Sequence, residues 1–380
     1  MLCSSSDNWE GGAMTTLDAG TIGQPTLPGR LGRPESDLRS DPRSDPRMVA
    51  SMTPFGMDVQ GPPAPVQASS PLPDKLAFIG AAEAGFEAVF AALAAGLPEV
   101  VGLTNVTEVI KGVDGNVITL YVTRPANQQG PLPGILHLHG GGMTLLTARG
   151  PLYARWRNEL AATGLVVVGV EFRNGGGSEG PYPFPAGLND CFSALEWMQA
   201  NAQRLRISKI VVNGESGGGN LTLATSLKAK AAGKLDLIDG VYAMCPFISG
   251  GYDWTDEQKL RELPSLIEND GYFISCALNA VVATIYDPDG SNTANPLCWP
   301  YHASEAELRG MPPHVISTNE LDPLRDEGLA YYRKLAAAGV SVAGRTVTGT
   351  CHAGDMMFRA SMPEVYASTI ADIHAFAARL

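Results

Sequence analysis

From about residue 104 to the C-terminus, short runs of aliphatic and β-branched residues take turns with longer stretches whose apolar positions recur every three or four residues. The short runs predict strands over 104–110, 116–123, 135–139, 165–172, 210–213, 240–245, 315–319 and 342–348. The longer stretches predict helices over 152–162, 188–200, 220–232, 325–338 and 363–378. Strand and helix in alternation mean an α/β fold: a mainly parallel, eight-stranded sheet with helices on both faces. Chemistry on such a sheet is expected on loops at the carboxyl ends of the strands.

Other segments break this rhythm. Residues 77–93 place Phe78, Phe86, Val89, Phe90 and Leu93 near helical spacing and predict an amphipathic helix. Residues 250–301 are irregular and aromatic, a cap-like insertion in the alternation. Residues 1–70 carry the imperfect Ser-Asp-Pro-Arg repeat of 36–47 and the run Gly61-Pro62-Pro63-Ala64-Pro65. Little there offsets ordering entropy, so a disordered leader is expected, with Met14, Met48 or Met52 as alternative starts.

The loops after the strands hold the candidate chemistry. Gly214-Glu215-Ser216-Gly217-Gly218 lies between a predicted strand and a predicted helix, where a sharp elbow would expose the Ser216 hydroxyl. In a chain with 43 glycines the bland alternative is a glycine-rich turn. Three more segments argue against it. His139-Gly140-Gly141-Gly142 follows a strand and suits an oxyanion loop; Gly141, Gly142 and Gly217 would supply the backbone N–H groups. His139 and Gly140 would hold the loop's shape. Asp322 stands just past the strand 315–319, and His352 in the loop after 342–348. A serine hydroxyl is a weak nucleophile and needs a base, for which His352 is the candidate and Asp322 its orienting acid. Glu320, Asp326 and Asp355 compete less well by position. Glu215 is assigned to loop architecture.

The order oxyanion loop, Ser, Asp, His is that of the α/β hydrolases. His139 to Gly142, Gly214 to Asn220 and Asp322-Pro323-Leu324-Arg325-Asp326-Glu327-Gly328 resemble the hormone-sensitive-lipase branch, the bacterial family IV esterases. Phe172-Arg173, Pro183 to Ala186 and Asp190 are similar to a further family stretch, and the likeness runs from about Asn105 onward. Two departures stand out. The chain has Gly-Glu-Ser-Gly-Gly-Gly where the family usually has Gly-Asp-Ser-Ala-Gly-Gly, and His352-Ala353-Gly354 where His-Gly-Phe is usual. The resemblance implies an α/β-hydrolase fold with a helical cap. Residues 71–103 then form an N-terminal cap segment, and 104–380 the catalytic domain with its insertion near 250–301. It also implies a serine carboxylesterase acting on small to medium esters, with homodimers common among such proteins. The helix 77–93 packed simply on the main sheet remains the alternative to a cap. Met143, Phe184, Tyr252, Trp254, Tyr272 and Phe273 are candidate walls of the substrate pocket.

A net charge of -12 argues against a nucleic-acid partner, which would need clustered cations. No run approaches 18 uninterrupted apolar residues, so no membrane span is expected. The six cysteines lack the close pairs of metal sites and there is no secretory signal pattern; a cytoplasmic protein without metal or organic cofactor is the expectation. Two rival functions remain. An amidase or acyltransferase would use the same triad, and a small-molecule receptor would use the fold without catalysis.

Overall fold

The structure, a computed structural model, describes residues 27–380. Eight strands form one sheet in the order β1-β2-β4-β3-β5-β6-β7-β8. β1 (Leu103–Lys111) runs antiparallel to β2 (Val117–Pro125), and β2 antiparallel to β4 (Val166–Glu171). β3 (Leu132–Leu138), β5 (Ile207–Glu215), β6 (Gly240–Met244), β7 (His314–Asn319) and β8 (Val342–Val347) continue it in parallel. Every residue of β4, β6 and β7 is buried, because helices cover both faces of the sheet there. That is why β4 and β6 read as apolar runs without polar alternation, while the polar residues of β7, His314 and Ser317 to Asn319, are buried as well. β1 lies at an edge, where Val106 and Val109 are exposed.

Register then places the loops. Leu138 pairs with Gly214, setting the loop after β3 beside the elbow after β5. Asn319 pairs with Val347, setting the loop of Asp322 beside the loop of His352.

The leader expectation is corrected over 27–70. Leu38, Met48 and Met52 are buried in the main core, and the Asp45 amide donates to the Gly349 carbonyl at 2.9 Å. The charges of the repeat are paired, chiefly through Arg43, which meets Asp41, Glu268 and Asn269. Few apolar side chains suffice because these three are almost wholly covered. Residues 1–26, with Cys3 and Met14, lie outside the described residues.

The helix Leu72–Ala94 is longer than expected and differs in pattern. With mean hydropathy 1.6 over its best window, it is long and apolar enough to cross a membrane by length and composition. Its buried residues, Lys75, Ile79, Glu83 and Phe90, include two charges, while its other faces are largely alanine, so it lacks the expected apolar-in, polar-out division. Glu83 accepts from the amides of Leu146 (2.7 Å) and Ser178 (2.8 Å), which ties the helix to the protein body. The insertion after β6 contributes the helices Asp256–Glu262 and Cys276–Tyr286, the second packed against Leu72–Ala94.

Candidate active site

β5 ends on Glu215 and the next helix starts on Gly217, leaving Ser216 alone at the turn with φ 57° and ψ -120°. This strained conformation is held by three bonds: Ser216 N to Met244 O (3.0 Å), and Phe247 N (3.0 Å) and Asn220 N (2.9 Å) to Ser216 O. Glycine at 214 and 218 is a steric requirement. A Cβ on either would run into the Leu138 carbonyl, and one on Gly214 would also lie 2.6 Å from the Gly218 carbonyl carbon.

The loop after β3 lies directly over the elbow. A Cβ on Gly217 would come within 2.6 Å of the amide nitrogens of both Gly142 and Met143. So close an approach accounts for glycine where the resembled family usually has alanine. Gly141 and Gly142 have positive φ, 102° and 58°. Their amides, and that of Gly217, donate to no protein acceptor among the described residues. Glu215 points away from the serine and accepts from Gly140 N at 2.5 Å. His139 stacks on Phe172 with ring centroids 4.1 Å apart, and its Nδ1 lies 2.8 Å from the Gly140 carbonyl. Complete burial pushes its pKa down to about 3, so the ring is neutral.

His352 Nδ1 lies 2.8 Å from Asp322 Oδ2, and both residues are buried. The Leu324 amide donates to Asp322 Oδ1 at 2.9 Å, fixing the carboxylate. The competing acids are occupied elsewhere: Glu320 by Gly349 N, Asp326 by Arg325 and Ser265, and Asp355 by Asn319 and Thr369. Ser216, His352, Gly141 and Gly142 all line one cavity of about 90 Å³. No hydrogen bond joins the Ser216 hydroxyl to His352, a contact that commonly tightens only with substrate present. Cys245, its thiol within 4.8 Å of the ligand atoms of Asp322 and His352, and Cys351 are both buried, which raises their pKa well above 9.0. Burial of this kind disfavours the thiolate that a cysteine nucleophile needs.

The cavity walls depart from expectation. Of the six candidates only Phe273 faces it; Phe86 and Phe90 from the helix Leu72–Ala94, and Leu278, Asn279 and Val282 from the insertion, complete the apolar roof. Tyr252 instead stacks on Phe247 and donates to Glu327, Tyr272 donates to Asp41, Trp254 packs on Tyr301, and Phe184 on Tyr286. Met143 is buried beside the cavity without lining it.

A sequence profile of the alpha/beta hydrolase fold matches residues 135–355, more than half of the chain. The chain belongs to the α/β-hydrolase family. Within it the protein stands with the hormone-sensitive-lipase-like carboxylesterases. It shares 51% identity and a TM-score of 0.91 with brefeldin A esterase, a bacterial homologue of human hormone-sensitive lipase, over 93% of this chain and 98% of that one. Esterase Est22 matches at 35% identity and TM-score 0.78 over 90% and 99% of the two chains. Carboxylesterase NlhH of Mycobacterium tuberculosis is 31% identical over 64% of this chain and 74% of its own length.

Two further residues support the site of this α/β hydrolase: Asn269, which had no signal in the sequence, and Glu327, which lies in the family-like stretch Asp322 to Gly328 but had no role read for it. Asn269 Nδ2 donates to the Asp322 carbonyl at 3.1 Å from 53 positions away. Glu327 accepts from the amides of Ile248 (3.0 Å) and Ser249 (2.9 Å) and from the Tyr252 hydroxyl (3.0 Å), pinning the chain where it leaves the elbow's neighbour strand. Burial pushes its carboxyl up to about 8 despite those donors.

Proposed function

We propose that Ser216, His352 and Asp322 form the catalytic triad of a serine carboxylesterase acting on small to medium esters. One observation carries the reading: His352, held by Asp322, and the strained Ser216 line the same cavity as Gly141 and Gly142, whose amides are unpartnered, with the unpartnered amide of Gly217 next in the chain to Ser216. His352, its Nδ1 held by Asp322, has Nε2 free to take the hydroxyl proton as Ser216 attacks the ester carbonyl. The oxyanion then forms against the N–H groups of Gly141, Gly142 and Gly217, each donor of this kind being worth about 3 kcal/mol in related chemistry. His352 passes the proton to the departing alcohol. Water, deprotonated by the same ring, releases the acid and restores Ser216. Gly140, bonded to Glu215, and His139, stacked on Phe172, keep the loop in shape. The apolar roof excludes bulk water, and a cavity of about 90 Å³ suits short acyl groups. Five buried free cysteines among the described residues favour a reducing, cytoplasmic setting.

The test is turnover of p-nitrophenyl butyrate together with fluorophosphonate labelling. Ser216→Ala is expected to lose at least about 10³-fold in kcat and all labelling. Wild-type turnover in that variant would sink the triad, and faster cleavage of a matched anilide would replace ester with amide hydrolysis.

A further inference from the structure

The roof of the cavity carries one polar side chain whose presence stability does not explain. Asn279 lies on the insertion helix Cys276–Tyr286, Cys-Ala-Leu-Asn-Ala-Val-Val-Ala-Thr-Ile-Tyr, which is otherwise apolar apart from Cys276, the half-buried Thr284, and Tyr286, whose hydroxyl is also unpartnered but does not line the cavity. Thr284 is satisfied: its hydroxyl donates to Val281 O at 2.9 Å and accepts from Lys75 Nζ at 2.9 Å. Asn279 is not. Only 5% exposed, it lines the cavity, and its Nδ2 meets no acceptor. Asparagine is also a poor helix former, so the position would be better filled by leucine on both counts. A buried amide kept without a partner, facing a site where substrate must enter, is a hydrogen bond waiting for a ligand.

Its place fixes what that ligand is. Val282, one turn further along the same helix, presses on Gly142, since a Cβ on that glycine would collide with the Val282 methyl. Three residues of helix rise about 4.5 Å, so Asn279 stands roughly one turn from the oxyanion loop. The remaining roof, from Phe86, Phe90, Phe273 and Leu278, offers no charge. Resting on the esterase reading above, we infer that Asn279 is a specificity-determining residue. It selects uncharged, largely apolar esters that carry a second oxygen, a ketone, ether or hydroxyl, a few bonds from the scissile carbonyl. The amide then gains its partner only in the bound complex. An analogue without that oxygen enters the same space but leaves the amide unpaired.

Isosteric pairs test this: p-nitrophenyl 4-oxopentanoate against 4-methylpentanoate for the acyl side, and 4-oxopentyl acetate against 4-methylpentyl acetate for the alcohol side. The readout is the oxo-to-methyl ratio of kcat/KM in wild type, Asn279→Leu and Asn279→Ala, with Ser216→Ala as control. For at least one pair the ratio is expected to fall in both variants by about tenfold, the size of one net hydrogen bond. A purely structural amide would change both esters of a pair alike. Ratios that stay within threefold of wild type in both variants and both pairs overturn the inference while leaving the esterase intact. Turnover that survives in Ser216→Ala overturns the esterase reading, and this inference with it.

Discussion

Ala353 sits at φ 54° and ψ 20°, a left-handed conformation that costs an L-residue with a Cβ roughly 1 kcal/mol. The family resembled usually has glycine at this position, and the geometry says why: the chain must reverse immediately after His352 to return its ring to the cavity. Gly354, where phenylalanine is usual, has the opposite constraint. A Cβ there would lie 3.1 Å from the Thr350 side chain and 3.5 Å from Met48 Sδ, so a larger side chain would have to push its neighbours aside. Ala353→Gly is therefore expected to raise unfolding free energy by about 1 kcal/mol, read by urea denaturation; no gain would mean the loop is relaxed as it stands. Ser216, Asp322 and His352 were legible because each follows a strand in a fixed order of loops. The cavity walls were not. Aromatic content marked Tyr252, Trp254 and Tyr272 for burial, but whether a ring turns to the cavity or to Glu327, Tyr301 or Asp41 depends on contacts far along the chain.

Among the elements, the segment 27–60 has the largest consequence for the site. Arg43 donates to Asp41 (2.8 Å) and to Glu268 (2.5 Å), and Glu268 in turn accepts from Arg325 at 2.8 Å, three residues beyond Asp322. Asn269, next to Glu268, takes Arg43 on its Oδ1 and gives its Nδ2 to the Asp322 carbonyl. Met48 Sδ accepts the amide of Cys351 at 3.2 Å, just before His352. The segment thus braces both loops that bring Asp322 and His352 together. Arg43→Gln is expected to destabilise the fold by about 3 kcal/mol, as for other broken buried pairs, and to lower kcat more than it raises KM. Thermal unfolding with steady-state kinetics checks both, and a stable variant with unchanged kcat would confine the segment to decoration. Strand and helix positions were readable because periodicity is local. This segment was misread as disordered because its partners stand 225 and more positions away, where composition carries no trace of them.

At the scale of the whole molecule, buried ionisable groups of opposite tendency set how stability responds to acid. Complete burial holds His139 down at about 3 and His314 at about 4, against 6.5 for a free imidazole. Each contributes stability that is fully present above pH 6.5 and is lost as pH falls toward the folded value, because the unfolded chain takes up the proton first. Between pH 7 and 5 that loss is about 2 kcal/mol for each ring. Glu327 acts in the other sense. With a folded value near 8 against 4.5 when unfolded, it favours the native state more as pH falls from 8 to 4.5. Glu327 returns about 2.5 kcal/mol of the roughly 4 kcal/mol that the two rings lose, so the wild-type stability should fall by only about 1.5 kcal/mol from pH 7 to 5. Below that window it should fall steeply, as the carboxylates held down by arginine partners, Asp41 and Glu268, are protonated. Removing one histidine exposes the balance. His314→Leu is expected to become more stable at pH 5 relative to pH 7 by about 2 kcal/mol compared with wild type, measured by urea unfolding at both pH values. Taking the difference between the two pH values cancels the packing effect of the substitution. If the variant and the wild type change in parallel, then His314 is protonated alike in the folded and unfolded chains, and its burial at the start of β7 has no part in acid stability.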